Sequence, residues 1–261
     1  MLKERSVLDK GRVAIVDKLG SDESILRAAR VSTGAKVLKG EKKDKGLIDY
    51  LYRNNHISPF SFVQIHLYFK CPIFVARQIV RHTSWRFNES SARYKEFEWE
   101  TYFPDEMRFQ NQTGNKQGSD FSKKLDEAEI NLIENAYNSS KRAYYSLLGE
   151  ENGFAREQVR TVMPVGQYTE FYASVDMRYL LHFLELRLDE HAQKETRVYA
   201  EAILEMLKEI DELKYTIETF EKYFKLNQMF QKAKNTCQRK NKNMNALMKY
   251  LDDFIEANKG E

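Results

Sequence analysis

Cysteine is nearly absent. Two residues, Cys71 and Cys237, occur in 261, too few for a disulfide framework and suited to a reducing compartment. Long apolar runs are missing as well. No stretch approaches the roughly 18 to 20 apolar residues that span a bilayer, and the N-terminal MLKERSVLDKGRVAIVDKLG has no signal-peptide core. The expectation is a cytoplasmic protein with no membrane partner. GxGxxG and GxxxxGK[ST] do not occur, so neither a dinucleotide fingerprint nor a P-loop is encoded. HExxH and CxxC are absent too, which removes the zinc signatures and disfavours a metal-dependent phosphohydrolase. Charge of one sign is not in excess. The net +3, from 42 Lys plus Arg against 39 Asp plus Glu, is too small to identify a polyanionic partner, so the placement of arginines matters more than their number.

What is present suffices for a core: 42% hydrophobic and 13% aromatic residues fit one large domain or a domain with an appendage. GRVAIVD at 11–17 reads as a strand, and Asp22 offers an N-cap for a helix through Arg30 that ends near Val31, Ser32 and Thr33. Residues 44–54 carry helical spacing until His56, Ile57, Ser58 and Pro59 break it. Val63, Ile65, Leu67 and Phe69 alternate with polar partners as a half-buried strand. Pro72 suits the first turn of a helix that buries Ile73, Phe74, Ile79 and Val80 and delivers Arg81 and His82 to its end. A long amphipathic helix is predicted over 121–148, a short one over 155–162 and a strand over 168–175. Asp176 then caps a helix bearing Arg178, His182, Glu185 and Arg187, and Asp189 caps another long helix. Past about residue 225 the chain turns rich in Lys, Asn and Gln, with Met244, Leu247, Met248, Leu251 and Phe254 still at helical spacing. Helices interleaved with a few strands give a mixed α/β (α+β) class. The expected partition is one main domain over 1–225 and a helical extension over 226–261.

The chemistry concentrates in RQIVRHTSWRFNESSARY at 77–94. It holds four arginines, one histidine, one glutamate, three serines and aromatic rings large enough to stack on a heterocycle. Forked guanidinium donors, hydroxyls and a carboxylate acceptor suit a nucleoside monophosphate, whereas the bland alternative is a solvated helix end with a salt-bridged loop. Arg178 with His182, and His182 with Glu185, can share a helix face, as a ligand site or as a core histidine satisfied by Glu185. His191 and Glu195 are also four apart, the spacing of some helix-bundle metal sites, but no specific metal signature accompanies them. Cys71, between a strand and Pro72, reads as a buried hydrophobe and not a nucleophile.

Arg81, His82, Thr83 and, after seven residues, Ser91 resemble the Arg-His-Arg, seven residues, Ser signature of flavin-dependent thymidylate synthases. Ser91-Ala92-Arg93-Tyr94 continues the match, as do His56, Ser58, Pro59, Phe60 and PIFVARQ upstream. AREQVRTVMPVGQYTEFY at 155–172 and RYLLHFLELRLDEHAQKE at 178–195 extend it downstream. Thr83 stands where the signature has its second arginine, with Arg86 the candidate to supply that charge. The resemblance implies helices around a small central sheet, of the thymidylate synthase complementing protein type. It implies dUMP binding by Gln78, Arg81, Glu89, Ser90, Ser91, Ala92, Arg93, Arg160 and Arg187, with Arg187 polarising the uracil. It assigns FAD to Ser32, Ser58, Arg81, His82, Thr83, Glu89, Asp176, Met177, Arg178, His182 and His191; several members carry Asn at the positions of Asp176 and His182. The implied reaction methylates dUMP to dTMP with 5,10-methylenetetrahydrofolate as one-carbon donor and FAD, reduced by NADPH, as hydride carrier. The implied assembly is a homotetramer with sites between subunits. The alternative is a non-enzymatic nucleotide- or RNA-binding module, suggested by arginine and aromatic interleaving at 77–99 and the basic stretch 223–243. No nucleic-acid partner is expected, because the extension reads as a helix packing on a neighbouring subunit with a solvated face.

Overall fold

The computed structural model describes residues 2–34, 37–110, 119–149, 151–239 and 249, without the side chains of 120 and 235–239. In chain order the elements are β1 (Lys3–Val7), β2 (Gly11–Leu19), α1 (Asp22–Arg30), α2 (Glu41–Arg53), β3 (Gln64–Pro72), α3 (Ile73–Ile79), β4 (Arg86–Glu89), β5 (Glu106–Gln110) and β6 (Ser119–Lys124). There follow α4 (Glu127–Leu148), α5 (Arg156–Val159), β7 (Tyr168–Asp176), α6 (Met177–Arg187), α7 (Lys194–Lys208) and α8 (Lys214–Arg239). Antiparallel pairing gives one five-stranded sheet in the order β1-β2-β3-β7-β4, and β5 with β6 form a separate two-stranded sheet. The class is mixed α/β, as expected.

The alternation in β3 builds the core. Ile65, Leu67, Phe69 and Cys71 are fully buried on one face, opposite Val175, Ala173, Phe171 and Thr169 of β7. Phe69 and Phe171 stack with centroids 4.8 Å apart. Leu180, Phe183 and Leu184 of α6 and Tyr199, Ile203 and Leu207 of α7 join the same buried cluster, so both helices cover the inner face of the sheet. Tyr199 is tied to the backbone of β3 by its hydroxyl, which donates to Lys70 O at 2.8 Å. Among the described residues, no helix is long and apolar enough to cross a membrane.

Helix ends account for most departures from expectation. α1 is capped by Ser21, whose N–H donates to Ser24 Oγ at 3.2 Å. Asp22 instead caps a helix remote in sequence: its buried carboxylate accepts from Tyr215 N at 2.7 Å, Thr216 N at 3.2 Å and Thr216 Oγ1 at 2.6 Å, in the first turn of α8. Residues 121–124 pair as β6 with β5 and do not open the long helix, which begins after Asp126 in a capping box with Glu129. β5 alternates Met107 and Phe109 with Glu106, Arg108 and Gln110 over only five residues, and β6 and the charged edge strand β1 carry too few apolar residues for a strand pattern to stand out. Asp189 lies in a turn, accepting from His191 N at 2.8 Å, and α7 starts only at Lys194. α3 buries Val75, Ala76 and Ile79 while Val80 faces solvent. α8 runs without a break across residue 225 to Arg239, and Met244, Leu247, Met248, Leu251 and Phe254 lie outside the described residues.

α2 ends in a Schellman motif. Asn55 takes a left-handed conformation (φ 57°), with His56 N donating to Leu51 O and Asn55 N to Tyr52 O. The reversal turns Ile57 and Ser58 back toward α6.

Burial, opposed by the bonds from Thr216 and Tyr215, raises the Asp22 carboxyl from 3.8 to about 6. The folded chain therefore holds this proton over a range where the unfolded chain releases it, and the contribution to stability falls as pH rises from 3.8 to about 6. In urea unfolding across that window, Asp22→Asn is expected to lack this component, so the difference between wild type and variant changes with pH. Parallel curves would show that Asp22 titrates as an ordinary carboxylate.

Candidate active site

The C-terminal ends of α3 and α6 meet at the centre of the site. Arg187 Nε donates to His82 Nε2 at 3.2 Å, and Arg187 Nη2 donates to the Gln78 carbonyl at 3.3 Å. The His82 ring sits edge-on to Phe183, centroids 5.0 Å apart. Burial, then the Arg187 charge, then His182 lower the His82 imidazole from 6.5 to about 4. It is neutral at pH 7 and accepts the guanidinium N–H. Burial and the neighbouring Arg81 also push the Arg187 guanidinium below its ordinary value. Among the described residues no carboxylate forms an ion pair with Arg187. A half-buried cation held only by neutral groups is a site of unspent positive potential.

A second group converges where β4 meets β7. Glu89 accepts from Thr169 Oγ1 at 2.6 Å, and Ser90 N donates to Glu170 O at 2.8 Å. Ser91 Oγ accepts from Arg93 N at 3.2 Å, and Ala92 is buried beneath the turn. Glu157 gathers two of the arginines expected to bind dUMP: its carboxylate pairs with Arg93 at 3.3 Å, and its backbone carbonyl accepts from Arg160 Nε at 3.2 Å. Arg93 and Glu157 are both about half exposed, so their pair is weak and a phosphate can displace it.

The third group lines a cleft of about 470 Å3 between α2, α6 and α8. Arg178, His182 and Glu185 form one wall, with Arg53 and Asn55 from the end of α2 and Tyr52, Tyr223 and Asn227 around them. Tyr52 and Tyr223 stack at 5.7 Å. Glu185 does not bond His182, so the reading of a satisfied core histidine does not hold; His182 is exposed. Asp176 caps α6, accepting from Tyr179 N at 3.0 Å, as its place in the sequence suggested. A second cleft, of about 670 Å3, continues past Glu185 to Arg187 and His191 under α8.

Several expected residues stand apart from these groups. Ser32 lies in the exposed turn after α1, where its hydroxyl donates to Ala29 O at 3.4 Å. The Met177 side chain is fully buried and its N–H is taken by Val63 O at 2.8 Å, so neither can reach a ligand. Thr83 and Arg81 sit on the exposed turn after α3, and Ser58 opens the turn before β3. Trp85, in the segment expected to stack on a heterocycle, is turned into the core against Phe183, centroids 4.8 Å apart, while Tyr94 is 80% exposed. His191 and Glu195 do not share a helix: His191 bonds Asp189 and Glu195 bonds Arg108, so the i,i+4 spacing does not bring them together. Among the described residues no group of three or more His, Cys, Asp or Glu is placed to hold a metal ion. Arg53, Asn55, Tyr223, Asn227, Glu157 and Gln193 escaped the sequence reading, since they lie singly on segments whose packing no periodicity reveals.

The family model described as "Thymidylate synthase complementing protein" matches residues 14–211. The chain is 44% identical over 222 residues to the flavin-dependent thymidylate synthase of Thermosipho melanesiensis, covering 84% of this chain and 94% of that one. This chain belongs to the flavin-dependent thymidylate synthase family. Another family member, from Thermus thermophilus, is 46% identical over 203 residues, covering 78% of this chain and 73% of the other. The fold is similar to the crystal structure of a UMP/dUMP methylase, PolB from Streptomyces cacaoi, bound with 5-Br dUMP. Its TM-score is 0.73 and its identity 32%, covering 82% of this chain and 95% of that one.

Histidine resonances followed through a pH titration check the electrostatics of the centre. His82 is expected to stay neutral down to about pH 4. Its depressed value means stability present above 6.5 and lost as pH falls toward 4. A midpoint at or above 6.5 would mean that the ring is neither buried nor faced by Arg187.

Proposed function

We propose that this chain methylates dUMP to dTMP, with FAD as hydride carrier, NADPH as its reductant and 5,10-methylenetetrahydrofolate as one-carbon donor. The observation that carries the reading is Arg187: a half-buried cation whose partners, His82 and the Gln78 carbonyl, are neutral. Such a group, fixed before substrate arrives, stabilises negative charge developing on a uracil ring and favours ionisation at N3. Arg93 and Arg160, gathered by Glu157, suit the 5′-phosphate, and Glu89 and Ser91 supply an acceptor and a hydroxyl beside them.

The cleft beside α6 has the chemistry a flavin dinucleotide requires. Arg178 and Arg53 offer charge to a pyrophosphate, Tyr52 and Tyr223 offer ring faces, and Asn55 and Asn227 offer amides. Asn227 also supplies an amide near His182, where several family members carry one on α6. Bound there, FAD supplies hydride transfer, which no side chain can provide. The protein orients the reactants, holds charge at Arg187 and keeps His82 neutral. Cys71 takes no part: it is fully buried, and burial followed by the charge of Glu89 raises its thiol well above the ordinary value.

We also propose assembly as a homotetramer. Large apolar side chains exposed on this chain, among them Phe62, Tyr94, Phe121 and Leu132 at 64, 80, 79 and 73%, support burial between subunits. Elution from gel filtration as a monomer would remove this part. Family membership favours the enzyme over a nucleotide- or RNA-binding module.

The purified protein is expected to show oxidised-flavin absorption bands that NADPH bleaches without oxygen, faster when dUMP is present. A protein that neither retains nor takes up FAD would overturn the reading. Arg187→Ala is expected to lower kcat by roughly a hundredfold or more, the scale seen when a preorganised charge-stabilising group is removed, with little change in Tm. Unchanged turnover would take Arg187 out of the chemistry.

A further inference from the structure

The buried carboxylate of Glu195 sets the direction of a chain of hydrogen bonds that ends at Gln78. Glu195 is 5% exposed at the start of α7, and Arg108 Nη2 of β5 lies 2.7 Å from each of its oxygens. A second tie, Lys194 to Glu106 at 2.7 Å, fastens the same strand to the same helix end. Burial pushes the Glu195 carboxyl up, but Arg108, the backbone and Gln193 together outweigh it and hold it below the ordinary glutamate value. It is therefore ionised and can only accept hydrogen bonds.

Every later bond inherits its direction from that constraint. Glu195 Oε2 accepts from Gln193 Nε2 at 3.0 Å. The Gln193 carbonyl is thereby turned outward, and Gln78 Nε2 donates to it. That bond takes one of the two N–H donors of Gln78 and fixes the flip of its amide, so that the side-chain carbonyl points away from Gln193 as the free acceptor. An unsupported glutamine would offer either end, because its oxygen and nitrogen exchange places with a half-turn of the amide. The same residue is fixed a second way, since its backbone carbonyl accepts from Arg187.

We propose that Arg108, Glu195 and Gln193 are positioning residues that make Gln78 present an acceptor, and so select a nucleotide bearing a sugar hydroxyl donor. The inference rests on the proposed role of Gln78 as a dUMP-binding residue. The hydroxyl is the fitting donor because Arg187, next to Gln78, favours loss of the N3 proton and leaves the base edge without one.

The test uses the flavin-loaded enzyme with Gln193→Leu, an exposed change of similar size, beside Gln78→Ala. For Gln193→Leu the KM for dUMP is expected to rise roughly tenfold, the scale of one oriented hydrogen bond, with kcat within about twofold and Tm unchanged. The sharper readout is 2′,3′-dideoxyuridine 5′-monophosphate, which lacks the donor. Wild type is expected to bind it more weakly than dUMP, and Gln193→Leu is expected to lose that preference. If Gln78→Ala raises KM while Gln193→Leu changes neither KM nor the preference, the relay is wrong and Gln78 remains a substrate residue. If neither variant changes KM, Gln78 does not bind substrate and both readings fall.

Discussion

The nine-residue antiparallel ladder between β3 and β7 is the constraint on which the rest of the structure depends. It runs in unbroken register from Gln64 opposite Asp176 to Pro72 opposite Tyr168. α3 leaves one end of it and α6 the other, and their C-terminal ends meet where Arg187 reaches His82. Because side chains alternate along both strands, a slip of one residue would expose Ile65, Leu67 and Phe69 and turn polar neighbours inward. The register that fills the core is therefore the register that assembles the site. β4, paired on the far side of β7, brings Glu89 and Ser90 to the same sheet without a second core.

Around that frame the protein holds its cations in two ways. Arg30 is nearly buried and neutralised by Asp44 at 2.7 Å, and Arg108 by Glu195, so neither charge is open to a ligand. Arg187 is left with neutral partners, and Arg93 has one exposed carboxylate. Guanidinium groups of equal intrinsic charge thus divide into spent and available ones according to what folding places beside them.

Much of this was legible in the sequence. The alternation of Val63 to Phe69, the cap at Asp176 and the break at His56 to Pro59 each act through local stereochemistry, and each appears in the structure. The resemblance names Gln78 and Arg187 for dUMP and His82 for FAD, and the fold brings these three together although Arg187 is more than a hundred residues away in sequence. The misses have a common cause. Asp22, Trp85 and Met177 have residue types that suit a cap, a stacking surface and a ligand contact, but tertiary packing assigned them elsewhere. The helix 121–148 lost its first turns to β6 because pairing with β5 outweighed a weak helical period. Asn227 and Gln193 were invisible because lone amides acquire meaning only from what faces them.

The cap on α8 bears on how the chain is made. Its acceptor, Asp22, leaves the ribosome long before Tyr215 and Thr216, the groups that donate to it. Until α8 has been made, the Asp22 carboxylate has only water as donor, on a surface that α8 later covers. A chain interrupted before residue 215 keeps a charged edge where the full-length fold has a closed seam.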